Sequence, residues 1–234
     1  MYFDPLYLLI AAPFFIFGLW AQFRVKSAYA RGSQVASRAG WTGAHVAREI
    51  LNRNDMHNVD VEVSHGMLSD HYDPKAKVVR LSPEVYGGTS LAALGIAAHE
   101  VGHAIQDRTQ YSMLAIRNAA VPMANIGSQM SWIIFFAGLM LSASSPYLGR
   151  WIMWGGVALF GMVVFFQVVN LPVEFDASNR AKAILVNDRF IAEDELPVVK
   201  RVLGAAAMTY VAATLTAIAT LIYFILRAQG ARRD

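Results

Sequence analysis

The sequence contains no cysteine, which excludes disulfide bonds, thiol nucleophiles and thiolate metal ligands. Charged residues are also scarce: they make up 16% of the 234 residues, and the formal net charge is only +3. The basic residues are scattered along the chain, so we expect no nucleic-acid partner. The chain is instead 56% hydrophobic. This composition is typical of a membrane protein with a modest polar part.

Four apolar segments are long enough to cross a lipid bilayer. They cover residues 5–23, 121–142, 151–169 and 202–226. Asn170-Leu171-Pro172 follows the third segment and predicts its end or a kink. Basic residues follow the first segment instead of preceding it, at Arg24, Lys26, Arg31 and Arg38. This order predicts an uncleaved anchor whose following segment faces the cytoplasm, because positive charges tend to stay on that side.

The polar region after the first segment has both helix and strand patterns. Thr42 is a predicted N-cap for a helix that reaches about residue 52 and has Val46, Ala47, Ile50 and Leu51 on one face. The alternating valines of residues 59–63 predict a strand, and residues 77–82 predict a second one. Between them, Asp73 and Pro74 mark a turn. The pattern predicts a short β-hairpin or a three-stranded sheet.

Three ionisable residues come directly after the apolar stretch 91–98: His99, Glu100 and His103. Two histidines four residues apart lie on one face of a helix, so both rings can bind one zinc ion. Glu100 is turned away from the metal, where it could take a proton from a zinc-activated water. Burying these groups is costly unless they are paired or bind metal. The pattern therefore favours a zinc site over a chance arrangement.

A zinc peptidase also needs a third protein ligand and an open coordination position. The downstream candidates are Asp107, Glu174, Asp176, Asp188 and the cluster Glu193, Asp194 and Glu195. Two predicted spans separate His103 from Glu174, so the chain returns to the same side of the membrane. Ser178 and Ala181 share a helix face with Glu174, and such small residues would let the zinc helix approach. The cluster at 193–195 lies in a looser acidic connection, where its side chains are expected to be solvated. Spacing therefore favours Glu174.

Three stretches of sequence resemble the YugP-like membrane zinc metallopeptidases. They are Glu-Val-Gly-His at 100–103, Leu-Ser-Asp-His-Tyr-Asp-Pro at 68–74 and Leu-Pro-Val-Glu-Phe-Asp-Ala-Ser at 171–178. The resemblance covers nearly the whole chain. It implies a neutral zinc endopeptidase in which His99, His103 and Glu174 bind one zinc ion and Glu100 is the catalytic base.

The layout is also similar to that of HtpX-type membrane peptidases, in which the third ligand opens a Glu-x-x-Ala-Asp motif. Here Ser178 replaces the final aspartate of that motif, so a carboxylate supporting a ligand is missing. Asp176 or Asp107 could take its place. Asp107 lies one turn beyond His103 and could equally be an exposed charge at the end of the helix.

The expected fold is a mainly α membrane protein with about four transmembrane helices and a small α+β zincin-like cytoplasmic domain. We predict five regions: an anchor (1–23), the zincin-like domain (24–120), a transmembrane hairpin (121–169), the third-ligand helix with its connection (170–201), and a C-terminal transmembrane helix with its tail (202–234). The resemblance implies a multi-pass protein of the bacterial cytoplasmic (inner) membrane.

The expected function is hydrolysis of protein or peptide substrates at the membrane. Membrane protein quality control is one hypothesis for its biological role. A separate hypothesis is that a partner protein in the membrane delivers the substrate. Donors for the developing oxyanion could be His71, Tyr72, Arg180 or Tyr210. One alternative is a site-2-type intramembrane protease, but those enzymes use an Asp-Gly segment that this sequence lacks. Another is a non-catalytic metal-binding scaffold or adaptor, which would have no need of Glu100.

Overall fold

The computed structural model of the protein describes residues 4–64 and 69–230. This part of the chain forms seven helices and three short strands. The helices are α1 (Pro5–Ser33), α2 (Gly43–Arg53), α3 (Pro83–Tyr86), α4 (Leu91–Arg108), α5 (Ser112–Leu141), α6 (Pro146–Asn187) and α7 (Leu196–Gly230). The strands are β1 (Asp60–Val63), β2 (His71–Asp73) and β3 (Val78–Leu81).

Four helices, α1, α5, α6 and α7, are long and apolar enough to cross a membrane. With the small sheet, they confirm the predicted fold class. Each helix extends beyond the apolar segment that predicted it. The sequence Asn170-Leu171-Pro172 predicted an end or a kink of the third span, and the predicted end is wrong because α6 continues through Pro172 to Asn187. Proline removes one backbone donor, but burial of Asn170 and Val173 on either side supports the helix.

The three strands form one sheet in the order β1-β3-β2. The two strands that the sequence predicted, β1 and β3, are parallel neighbours, with Asp60 opposite Val78. The hairpin is formed by β2 and β3, which are antiparallel. Asp73 closes their turn, because its Oδ1 accepts from the backbone N–H groups of Lys75 and Ala76 at 2.9 and 3.1 Å. Leu68, which begins the quoted motif at 68–74, lies outside the described residues.

The chain divides into two compact units. The first comprises Met1–Trp20, Ile116–Leu171 and Thr209–Asp234, and the second comprises Ala21–Ala115 and Pro172–Met208. The first unit is therefore built from parts of the four long helices. The second unit contains the sheet and α2, α3 and α4, together with the remaining parts of the long helices.

Within the first unit, aromatic rings and glycines bring the helices together. The rings of Phe135 and Phe224 stack with their centroids 3.9 Å apart. A Cβ atom at Gly138 would lie 2.7 Å from the carbonyl oxygen of Gly149, which is too close for any other residue. Glycine at this position therefore allows α5 and α6 to approach through their backbones.

The start of α1 and the end of α7 also meet in the first unit. The Asp4 carboxylate accepts a hydrogen bond from the Tyr223 hydroxyl at 2.8 Å. The same carboxylate oxygen lies 2.8 Å from Arg227 Nε. These contacts place the first turn of α1 beside the last turns of α7.

The second unit has a continuous hydrophobic core beneath α4. The predicted N-cap of α2 is confirmed, because Thr42 Oγ1 accepts from the backbone N–H of His45 at 3.2 Å. The predicted apolar face of this helix is buried: Val46, Ala47, Ile50 and Leu51. Ser90 caps α4 in the same way by accepting from the backbone N–H of Ala93. These caps and this core fix the position of α4, which carries the histidines.

Candidate metal centre

Three side chains converge on one point in the second unit. His99 and His103 come from adjacent turns of α4, and Glu174 comes from α6. One potential ligand atom from each residue lies within 4.8 Å of the other two. Glu174 Oε2 is 3.4 Å from His99 Nε2 and 3.8 Å from His103 Nε2. The structure thus brings together the three residues that the sequence singled out as candidate ligands.

The chemistry of this group fits a zinc ion. Glu174 is 4% exposed, and its Oε2 has no hydrogen-bond partner among the described residues. Leaving a buried carboxylate oxygen without a partner is costly unless a cation fills the space that it faces. Two imidazole nitrogens and a carboxylate oxygen are a usual ligand set for a catalytic zinc site.

The other nitrogen of each histidine is also engaged. His99 Nδ1 lies 3.1 Å from the hydroxyl of Ser178, and His103 Nδ1 lies 3.0 Å from Gln106 Oε1. These contacts orient the Nε2 atoms of both rings toward Glu174. Supporting hydrogen bonds of this kind are typical of metal-binding histidines.

Gln106 continues the hydrogen-bond chain from α4 to α6. Its Nε2 donates to the backbone carbonyl of Val173 and to Asp176 Oδ2, both at 2.8 Å. Asp176 also accepts from Arg180 Nε at 2.6 Å. Asp176 is thus connected to His103 through an amide, without touching the ring itself.

A close contact between α4 and α6 makes this geometry possible. A Cβ atom at Gly102 would lie 2.8 Å from the carbonyl oxygen of Ala177. On the α6 side, Ala177 and Ala181 are completely buried. Small residues on both helices therefore let the backbones approach until Glu174 reaches the two histidines.

Glu100 lies next to the first histidine and is 8% exposed. Burial raises the pKa of its carboxyl group above the ordinary value, and the nearby negative charges of Glu174 and Asp70 act in the same direction. The positive charge that His99 and His103 can carry opposes this shift. A carboxylate with a raised pKa is a better proton acceptor than a solvated one.

The other candidate ligands lie elsewhere. Asp107 accepts from the Tyr72 hydroxyl at 2.7 Å and pairs with Lys77 at 2.6 Å, so it does not orient His103. Asp188 lies near Arg53, at 3.8 Å.

The sequence predicted solvated side chains for the cluster Glu193, Asp194 and Glu195. Two of the three side chains are exposed, and that of Glu195 is buried. Glu195 is 6% exposed and accepts from the backbone N–H groups of Arg38 and Ala192. The expectation is wrong for this residue because its carboxylate anchors the connection between α6 and α7.

All four candidate oxyanion donors already have interaction partners. His71 Nδ1 contacts the backbone carbonyl of Ser69 at 2.8 Å, and Arg180 binds Asp176. The Tyr72 hydroxyl donates to Asp107, and burial together with this bond raises the pKa of Tyr72. Tyr210 lies in α7, within the first unit.

Sequence reasoning missed Gln106. It lies three residues after His103, which places it on the same face of α4. Helical spacing could therefore have suggested the contact with the histidine. The partners on α6 had no comparable signal, because they depend on how the two helices pack.

Comparisons with known proteins identify a family for this chain. The model of a family described as "Putative neutral zinc metallopeptidase" matches residues 7–229. A curated relative from Bacillus subtilis (strain 168), "Putative membrane protease YugP", is 45% identical over 207 residues, which cover 88% of this chain and 89% of the relative. No significant match was found among the solved structures. The match over nearly the whole chain shows that the protein belongs to this neutral zinc metallopeptidase family.

Proposed function

We propose that the protein is a membrane-bound zinc endopeptidase that hydrolyses peptide bonds in protein or peptide substrates. The observation that carries this proposal is the convergence of His99, His103 and Glu174 beside the buried carboxyl group of Glu100. The family description and the name of the B. subtilis relative support the same reaction class. Each chain would hold one zinc ion through the three converging side chains.

A zinc ion in such a site supplies a Lewis acid that acidifies water and polarises a peptide carbonyl. Glu100 accepts the proton of the attacking water and then passes it to the leaving amine. Its burial favours the first step, because the raised pKa makes the carboxylate a stronger base. His99, His103 and Glu174 would hold the metal in position, and three protein ligands would leave the fourth position of a tetrahedral zinc ion to water.

The four long apolar helices favour a multi-pass location in a bacterial cytoplasmic membrane. The cluster of basic residues after the first span favours a cytoplasmic position for the segment that carries His99 and His103. Counting spans places Glu174 on the same side. Unfolded segments of membrane proteins would be accessible there, which fits a role in quality control.

An intramembrane protease of the site-2 type fits the chain less well. Its histidines would lie on a membrane-spanning helix, but α4 is not among the helices of the described chain that are apolar enough to cross a bilayer. Strands and short helices precede α4 in the sequence. These elements favour a site outside the hydrocarbon region.

The decisive substitution is Glu100→Gln, which keeps the size of the side chain and removes the base. We expect zinc content to stay at one ion per chain and cleavage of an unfolded model protein to fall by about 10²–10⁴-fold. Metal analysis and a gel-based cleavage assay on the full chain in detergent measure both quantities. The matched control is Glu193→Gln, since Glu193 is exposed, and it should leave both unchanged.

Two other results would lead to different conclusions. Normal turnover by Glu100→Gln would reject the proposed role of this residue. Stable zinc binding by the unsubstituted protein, with no cleavage of any unfolded protein, would favour the metal-binding scaffold. A chelator should stop cleavage, and added zinc should restore it.

A further inference from the structure

Gln106 is a completely buried amide between the two helices that carry the candidate ligands. Its oxygen faces His103 Nδ1 at 3.0 Å. Its nitrogen faces the backbone carbonyl of Val173 and the carboxylate of Asp176, each at 2.8 Å. Every polar atom of the amide is thus used, and its partners lie on both α4 and α6.

These partners fix the orientation of the amide. A backbone carbonyl can only accept a hydrogen bond, and so can the Asp176 carboxylate while it is paired with Arg180 at 2.6 Å. The NH2 group of Gln106 must therefore face α6, which leaves its oxygen facing His103. Since that oxygen can only accept, Nδ1 of His103 must carry the proton.

The proton on Nδ1 leaves the lone pair of a neutral imidazole on Nε2, the atom that faces Glu174. We propose that Gln106 is a positioning residue that holds His103 in this tautomer and joins α4 to the part of α6 that carries Glu174. This inference rests on the proposed function, because the tautomer matters only if His103 binds a metal. Gln106 acts through His103 and has no part in the chemical step.

The two histidines differ in this respect. His99 Nδ1 faces the hydroxyl of Ser178, and a hydroxyl can rotate either to donate or to accept. Ser178 therefore orients the ring of His99 without fixing its tautomer. The tautomer of His103 is fixed because the NH2 group of Gln106 donates to two acceptors on α6, so only the oxygen of Gln106 can face the ring.

The test is the affinity for zinc, measured on the full chain in detergent by competition with a chromophoric chelator. Gln106→Met keeps the length of the side chain and removes all three hydrogen bonds. We expect it to bind zinc about 10–100-fold more weakly, as for other residues that support a metal-binding histidine. Gln34→Met should bind zinc like the unsubstituted protein, because Gln34 is exposed.

A second pair of variants separates hydrogen bonding from packing. Gln106→Glu preserves the volume and an acceptor for His103, but it sets a carboxylate against Asp176, so zinc affinity should fall. Adding Asp176→Asn supplies an amide donor in place of that repulsion. The double variant should therefore bind zinc more tightly than Gln106→Glu alone, whereas a role limited to filling space predicts that both variants bind zinc like the unsubstituted protein.

The outcomes separate this inference from the proposed function. Unchanged zinc affinity in Gln106→Met, or no recovery in the double variant, would overturn the role of Gln106 alone. An unsubstituted protein that binds no zinc and cleaves nothing would overturn the zinc peptidase proposal, and this inference with it.

Discussion

His99 and His103 meet because of their spacing on one helix, whereas Glu174 reaches them through the packing of α6. Its buried Oε2, which accepts no hydrogen bond from the described residues, sets it apart from the other carboxylates downstream of α4. Asp176 and Glu195 are engaged by Arg180 and by backbone N–H groups, respectively. At the scale of single residues, the unsatisfied oxygen is the strongest structural argument for Glu174 as the third ligand.

Glu174→Ala should greatly weaken zinc binding, because it removes one of three protein ligands. Zinc content after dialysis against a weak chelator, measured by atomic absorption, checks this expectation. Glu193→Ala is the matched control, since Glu193 is exposed and lies in the α6–α7 connection. Equal zinc content in the unsubstituted protein and in both variants would reject Glu174 as a ligand.

At the scale of elements, the site depends on the close approach of α4 and α6. Gly102 lies between the two histidine turns, and the backbone of Ala177 occupies the space where its Cβ would be. A carbonyl in a packed helix cannot move as the end of a flexible side chain can. The small residues at this contact are therefore part of the site's geometry.

Gly102→Ala should lower the free energy of unfolding by about 1–3 kcal/mol, as expected for overpacking. Zinc affinity should fall as well, because α4 must shift away from Glu174. Thermal unfolding in detergent, with and without zinc, measures both effects.

The control is Gly204→Ala in α7, where the added Cβ would meet no atom within 4 Å beyond the adjoining backbone of its own helix. This change should be neutral or should stabilise the helix by up to about 1 kcal/mol. If the two alanine variants were equally stable and bound zinc equally well, the tight contact at Gly102 would be of no consequence.

At the scale of the whole molecule, the contact between Asp4 and Arg227 bears on the topology of the first unit. Four spans return the chain to the side where α1 begins, and this ion pair joins those same two helix ends. Three basic residues follow the last span: Arg227, Arg232 and Arg233. Four spans would put them outside the cytoplasm, against the tendency of basic residues to stay on the cytoplasmic side. The ion pair with Asp4 offsets the charge of Arg227. Arg232 and Arg233 lie outside the described residues.

We expect a C-terminal epitope tag to be on the non-cytoplasmic side. In spheroplasts, protease added from outside should remove it without detergent. An epitope inserted beside the exposed Glu193 should be protected until the membrane is dissolved. A protected C-terminal tag would contradict the four-span topology.

Much of the fold was predictable because the relevant signals are local. The apolar segments predicted the long helices, Thr42 predicted the start of α2, and the alternating valines predicted β1. The arrangement of the sheet was not predictable in this way. Whether β1 pairs with β3 in parallel depends on contacts between distant segments. The five regions proposed from the sequence stay a prediction.

The sequence by itself determined that His99 and His103 share a helix face, with Glu100 beside them, because helical periodicity places residues four apart on adjacent turns. It also determined the four apolar helices. Only the tertiary structure decided that Glu174 faces both rings, that Gln106 connects His103 to α6, and that Asp107 binds Tyr72 and Lys77 instead. These partners are chosen by the packing of segments far apart in the chain, and no local spacing encodes that choice.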